Sequence, residues 1–165
     1  MGDAEQAGEG QVVGHLTSAT VLESGGEWRG DAVDRHVDLE LAVVIDGGYA
    51  AALELVDLAR GGGDADEIVA TNVFHCAVAV GPMQESLAGG AEARLLVNGR
   101  VAGTGAVPDV RDRVRAAGET LTAVGERLSP GDVVITGSIV QVPVLRGDRL
   151  VGELDGLGRV ALWIG

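Results

Sequence analysis

Val37-Asp38-Leu39-Glu40-Leu41-Ala42-Val43-Val44-Ile45 is the stretch from which the rest of this chain can be read. Aliphatic and β-branched residues dominate it, and Asp46-Gly47-Gly48 closes it with a turn signal, so it reads as a buried strand. Two carboxylates interrupt the apolar run at alternate positions. On a strand, residues i and i+2 share a face, roughly 7 Å apart. Asp38 and Glu40 therefore project from one side, with His36 earlier on that same side. Neighbouring carboxylates repel and resist burial unless a proton, an arginine or a cation compensates. Hard divalent cations take oxygen ligands of this kind. The reading is a metal-binding strand, weighed against structural ion pairing to arginine.

Beyond the turn, Tyr49 to Leu58 reads as a second strand carrying Glu54 and Asp57. An antiparallel hairpin returns Glu54 toward Asp38 and Glu40 and makes it the third candidate ligand. His36 titrates near neutral pH and is a candidate base, a fourth ligand, or a plain histidine at a loop end. Asp57 joins the catalytic candidates through a contact behind the ligands, with a surface acid as the alternative. His75 alternates with apolar neighbours and reads as a core or interface residue; Cys76 reads as core filling.

The remaining chain is strand-rich. Residues 1–10 are polar and Gly-rich and read as a flexible end. Gln11 to Thr17 reads as a first strand, and 24–35 as an irregular connection tacked down by Trp28. Arg60-Gly61-Gly62-Gly63-Asp64 reads as a flexible loop, Ala65 to Ala70 as a short helical turn, and Val73 to Val80 as a strand stopped by Gly81-Pro82. Asn98-Gly99, between Ala91–Val97 and Arg100–Gly105, is the strongest hairpin signal. Val114, Ala117, Leu121, Val124 and Leu128 recur at helical spacing and predict one main helix over about 111–128. Ser129-Pro130-Gly131 ends it. The tail reads as four strands: Asp132–Thr136, Val140–Leu145, Arg149–Asp155 and Arg159–Ile164. The expected fold is α+β, predominantly β, with 11–165 as a single domain.

Bulk properties narrow the function. The 165 residues carry a net charge of −13, which argues against nucleic acid and against anionic membrane surfaces. An anionic small molecule remains as substrate if a cation or local arginine offsets the field. All twelve basic residues are arginine, so lysine Schiff-base chemistry is excluded. The single cysteine, Cys76, excludes an intrachain disulfide. Met1-Gly2-Asp3-Ala4-Glu5-Gln6 lacks the regions of a signal peptide, and no apolar run reaches the ~20 residues of a membrane span. The expectation is a soluble, cytoplasmic protein.

Four segments, in order, resemble the 2-keto-4-pentenoate hydratase and 4-oxalocrotonate decarboxylase group of the fumarylacetoacetate hydrolase superfamily. They are Val37–Ala42, Ala52–Asp57, Ile68–Asn72 and the tail, where Ser129–Ser138, Val142–Asp148 and Glu153–Gly158 follow one another. The resemblance implies a mixed-sheet β roll or barrel of that superfamily's C-terminal type. It implies Mg²⁺ or Mn²⁺ on Asp38, Glu40 and Glu54, and a substrate carboxylate held by Thr136 and Ser138. The family's chemistry would be hydration, decarboxylation or cleavage of a small 2-oxo acid through a stabilised enolate. The chain departs from the family where a lysine is expected near Val12-Val13, which makes His15 a second base candidate. Family members are longer over the part that roofs the site. Three readings follow: a lyase or hydratase-like enzyme, a shortened homologue with diverted chemistry (isomerase, cyclase or decarboxylase in a biosynthetic pathway), or a non-catalytic partner subunit. A homo-oligomer, or a complex with a pathway enzyme, is expected.

Overall fold

The computed structural model describes residues 12–60 and 65–165. The expected flexible end at 1–10 and the glycine loop at 61–64 lie outside the described residues. Among the described residues, ten strands and two α-helices follow in order, with a 3₁₀ turn Leu58–Arg60 after β4: β1 Val21–Glu23, β2 Gly26–Trp28, β3 Arg35–Val44, β4 Gly48–Asp57, α1 Ala65–Ala70, β5 His75–Val80, β6 Glu92–Val97, β7 Arg100–Ala106, α2 Arg111–Ala123, β8 Val133–Pro143, β9 Arg149–Leu154 and β10 Gly158–Ile164. One sheet has the order β1-β5-β4-β3-β8 and the other β2-β10-β9-β6-β7. The β1–β5 and β10–β2 pairs are parallel and the rest antiparallel, so both sheets are mixed. This is the expected predominantly β architecture with one main helix.

The two sheets close on a core supplied by every second residue of their strands. Val37, Leu39 and Leu41 of β3 and Leu53 and Leu55 of β4 meet Leu95, Leu150, Leu154 and Leu162 from the other sheet. Each such leucine, shielded from water, contributes about 1.5–3 kcal/mol of transfer free energy. The alternate residues of β3 and β4 face away from this core. The hairpin signals are realised as expected: Asn98 and Gly99 both take positive φ, 52° and 77°, as the tight turn requires.

Four expectations are corrected. Residues 12–17 form no strand. Asn72 holds them instead: its Oδ1 accepts from the His15 amide at 2.7 Å, and its Nδ2 donates to the His15 carbonyl at 2.9 Å. The connection 24–35 contains β2, because the edge of β10 offers unpaired backbone groups to Gly26–Trp28. Helix α2 stops at Ala123, short of 128, where Gly125 turns the chain at φ 83°. The two tail strands expected over 132–145 are one strand, β8, bulged against β3.

Asp57, at the end of β4, is buried among backbone amides rather than at the acidic cluster. Its Oδ1 accepts from the amides of Asp34 at 2.9 Å, Val33 at 3.2 Å and Ala59 at 3.3 Å, and Arg60 Nε lies 3.4 Å from Oδ2. Burial pushes this carboxyl up, but the three amides and the Arg60 guanidinium outweigh it and hold the carboxyl below its ordinary value of 3.8. A depressed folded-state value stabilises the fold above the unfolded value, and that stability is lost as pH falls through the folded one. Asp57→Asn is therefore expected to cost about 1–3 kcal/mol at pH 7 in urea unfolding. The difference from wild type should shrink as pH falls below about 4, where the unfolded carboxyl protonates, and on through the lower folded-state value.

Candidate metal centre

The outer face of the β3–β4 hairpin carries the acids. Register pairs Asp38 with Glu54 and Glu40 with Ala52, so all three carboxylates leave the same side of one sheet. One oxygen from each lies within 4.8 Å of the other two. Asp38 is 5% exposed and Glu40 2%. Strands on either side hold the oxygens in place. From β8, the Gly137 amide donates to Glu40 Oε2 at 2.9 Å, Ser138 Oγ donates to Asp38 Oδ1 at 2.8 Å, and Gln141 Nε2 donates to Asp38 Oδ2 at 3.3 Å. From β5, His75 Nδ1 lies 2.6 Å from Glu54 Oε1.

His75 is buried, and burial holds its imidazole below the ordinary value of 6.5. A neutral ring that donates from Nδ1 to a carboxylate carries its lone pair on Nε2. That Nε2 is buried without a hydrogen-bond partner. Sequence reasoning placed His75 in the core because strict alternation puts it on the apolar side. The β4–β5 register shift between Leu55 and Val56 pairs Val56 with His75 and brings the ring to the acid face.

The other expected site residues are placed differently. Thr136 Oγ1 donates to the Leu41 carbonyl at 2.9 Å and is buried. Arg113 of α2 donates to the Thr136 carbonyl, which ties the helix to the bulge. Ser138 serves Asp38, as above. His36 stands on the acid-bearing strand with its Nδ1 3.5 Å from Asp34. His15 lies in the segment tethered by Asn72. Asp57 is engaged by the 33–34 amides and takes no part in the cluster. Sequence reasoning missed His75, Gln141, Arg113 and the Gly137 amide. Only the register of the flanking strands reveals the first two.

A cavity of about 1050 Å³ opens onto Glu40, Glu54 and His75. The 12–18 segment, α2 and the 126–137 loop and strand start enclose it, and His15 and Thr136 are in its wall. The donor set fits a hard divalent cation: three converging carboxylates from two strands, Asp38 and Glu40 buried and Glu54 partly so, held by hydrogen bonds. Mg²⁺ or Mn²⁺ can be held there by Asp38, Glu40 and Glu54.

No family model matches the chain. Solved structures do match it. 4-Oxalocrotonate decarboxylase from Pseudomonas putida G7, complexed with magnesium and adipate, superposes with a TM-score of 0.84 at 21% identity, over 98% of this chain and 73% of that one. 2-Hydroxyhepta-2,4-diene-1,7-dioate isomerase from Mycobacterium marinum gives 0.66 at 21% identity, over 88% and 65%. Fumarylpyruvate hydrolase from Pseudomonas aeruginosa, in complex with Mn²⁺ and pyruvate, gives 0.60 at 20% identity, over 87% and 73%. At these identities the likeness is one of fold. No helix among the described residues is long and apolar enough to cross a membrane. The strand topology is that of these solved structures, the fold that the resemblance to the fumarylacetoacetate hydrolase superfamily implied.

Proposed function

We propose that this chain is a divalent-metal-dependent, lyase- or hydratase-like enzyme acting on a small 2-oxo acid or its enol. The observation that carries this reading is the convergence of Asp38, Glu40 and Glu54 within 4.8 Å on one sheet face. The matched decarboxylase and hydrolase structures, with magnesium and Mn²⁺, support it. A bound divalent cation would supply Lewis acidity toward the oxygens of a 2-oxo acid and lower the cost of enolate charge.

The chain's own residues do the rest. Asp38, Glu40 and Glu54 fix the cation's position through a strand pair that cannot shift without breaking the core. The β8 bulge aims the Gly137 amide and Ser138 at the ligands and so fixes the orientation of the Glu40 and Asp38 carboxylates. His75, in the cavity wall, is the residue we assign to accept the proton removed from the substrate carbon, and Glu54, at its Nδ1, fixes the tautomer whose lone pair lies on Nε2. His15, in the cavity wall, is the second base candidate, and His36 stands outside that wall. Of the two residues that the resemblance assigns to the substrate carboxylate, Thr136 lines the cavity and Ser138 is engaged with Asp38. Diverted chemistry is the alternative, favoured by the lack of lysine, which removes one class of general base from the chain.

Mn²⁺ titration followed by electron paramagnetic resonance tests the reading. The wild-type chain is expected to bind Mn²⁺ and to melt higher in its presence. Glu40→Gln should lose most of that rise, yet melt no lower than wild type in chelator, because one repelling charge is gone. A wild-type chain that binds no Mn²⁺ would overturn the proposal.

Solvent deuterium uptake at carbon 3 of a 2-oxo acid, with Mn²⁺ present, reads the proton transfer. His75→Gln is expected to slow it by about 10²–10⁴-fold. The His15→Gln and His36→Gln rates should stay within a few-fold of wild type. An unchanged rate in the His75 variant removes the base role from this residue.

A further inference from the structure

We infer that the cavity takes an amphipathic acid with a bulky apolar body, larger than the four- to six-carbon acids that a three-carboxylate pole alone would suit. This inference rests on the metal reading above. A cavity of about 1050 Å³ lies at the upper end of the range for pockets that enclose drug-sized ligands. An acid of four to six carbons would leave most of it to water. Glu40, Glu54 and His75 mark the acid pole, and Leu16, Val80, Ala117, Leu121, Leu128 and Ile135 furnish the apolar part of a wall that also includes Arg113, Glu126, Arg127 and Asp132.

None of these six apolar side chains is fully covered by the protein: each is half-buried in a chain whose inter-sheet leucines are wholly buried. The wall comes from four separate segments, so it is not one helix face awaiting a partner. Beneath it, Ala42 pairs with Ala50 and Glu40 with Ala52 beside the acids, and Leu16, Val80 and Ile135 close over those buried alanines, presenting an apolar surface to the cavity. A ligand with its acid head at the pole must run its remaining carbons along this wall, where each buried methylene adds affinity.

Isothermal titration with 2-oxobutanoate, 2-oxohexanoate and 2-oxooctanoate, at saturating Mn²⁺, tests the inference. Affinity is expected to rise about threefold per methylene along the series. Ala117→Trp, which fills the wall, should abolish the rise, and Leu121→Asp serves as a second variant should the first fail to fold. Equal affinity across the series, with Mn²⁺ bound, overturns the inference and leaves the metal centre standing. Failure of the wild-type chain to bind Mn²⁺ in a separate titration without acid overturns both.

Discussion

Repulsion among three carboxylates is the constraint around which this molecule is arranged. At 4.8 Å, two unit charges repel by about 3–4 kcal/mol at an effective dielectric near 20. Three such pairs, fully ionised, would approach the whole net stability of an ordinary domain, about 5–15 kcal/mol. The acids stay together because they cannot leave. Asp38 and Glu40 are bound to Leu39 and Leu41, which are wholly buried between the sheets, and Glu54 sits between Leu53 and Leu55, buried likewise. The strands cannot part to relieve the repulsion without drawing these leucines out of the core, and hydrogen bonds from Gly137, Ser138 and Gln141 hold the Glu40 and Asp38 carboxylates themselves. The hydrophobic effect on one face of the hairpin holds the charges against each other on the opposite face. A cation at the cluster turns that opposition into attraction.

The second sheet matters to the site only as backing, but the backing has to be firm. Gly152 of β9 shows how close the sheets come: a Cβ there would sit 2.5 Å from Leu39 Cδ1 and 3.1 Å from Leu53 Cδ2. Side chains flanking both carboxylate positions thus rest on bare backbone. The site inherits its precision from this contact, since β3 and β4 cannot slide while their inner faces are so close-packed.

Regular elements were legible in the sequence, because a period of two and a turn signal are local properties. The β3–β4 hairpin, the Asn98-Gly99 turn and the existence of α2 all follow from a few neighbouring residues. Hence alternation and one tight turn suffice to bring the three acids together. What depended on distant partners was not legible. Gly26–Trp28 becomes a strand only because β10 lies alongside, and Val12–Thr17 becomes coil only because Asn72 binds it. Gly125 marks the end of α2, yet the apolar stripe runs on to Leu128 and masks that stop.

The support of the acids was illegible for a sharper reason. Both flanking strands reach the cluster through a departure from alternation. On β8, an unbroken register would set Ile139 opposite Glu40; the bulge sets Ser138 there, and Ile139 packs against the inter-sheet core. On β5, an unbroken register would set Cys76 opposite Val56; the shift sets His75 there, and Cys76 packs against the same core. In each case an extra residue exchanges an apolar side chain for a polar one on the acid face, one position along. A regular sheet built from this sequence would present isoleucine and cysteine to the three carboxylates and bury serine and histidine among leucines. Regular pairing builds the scaffold, and two irregularities, one on each side of the hairpin, convert that scaffold into a site.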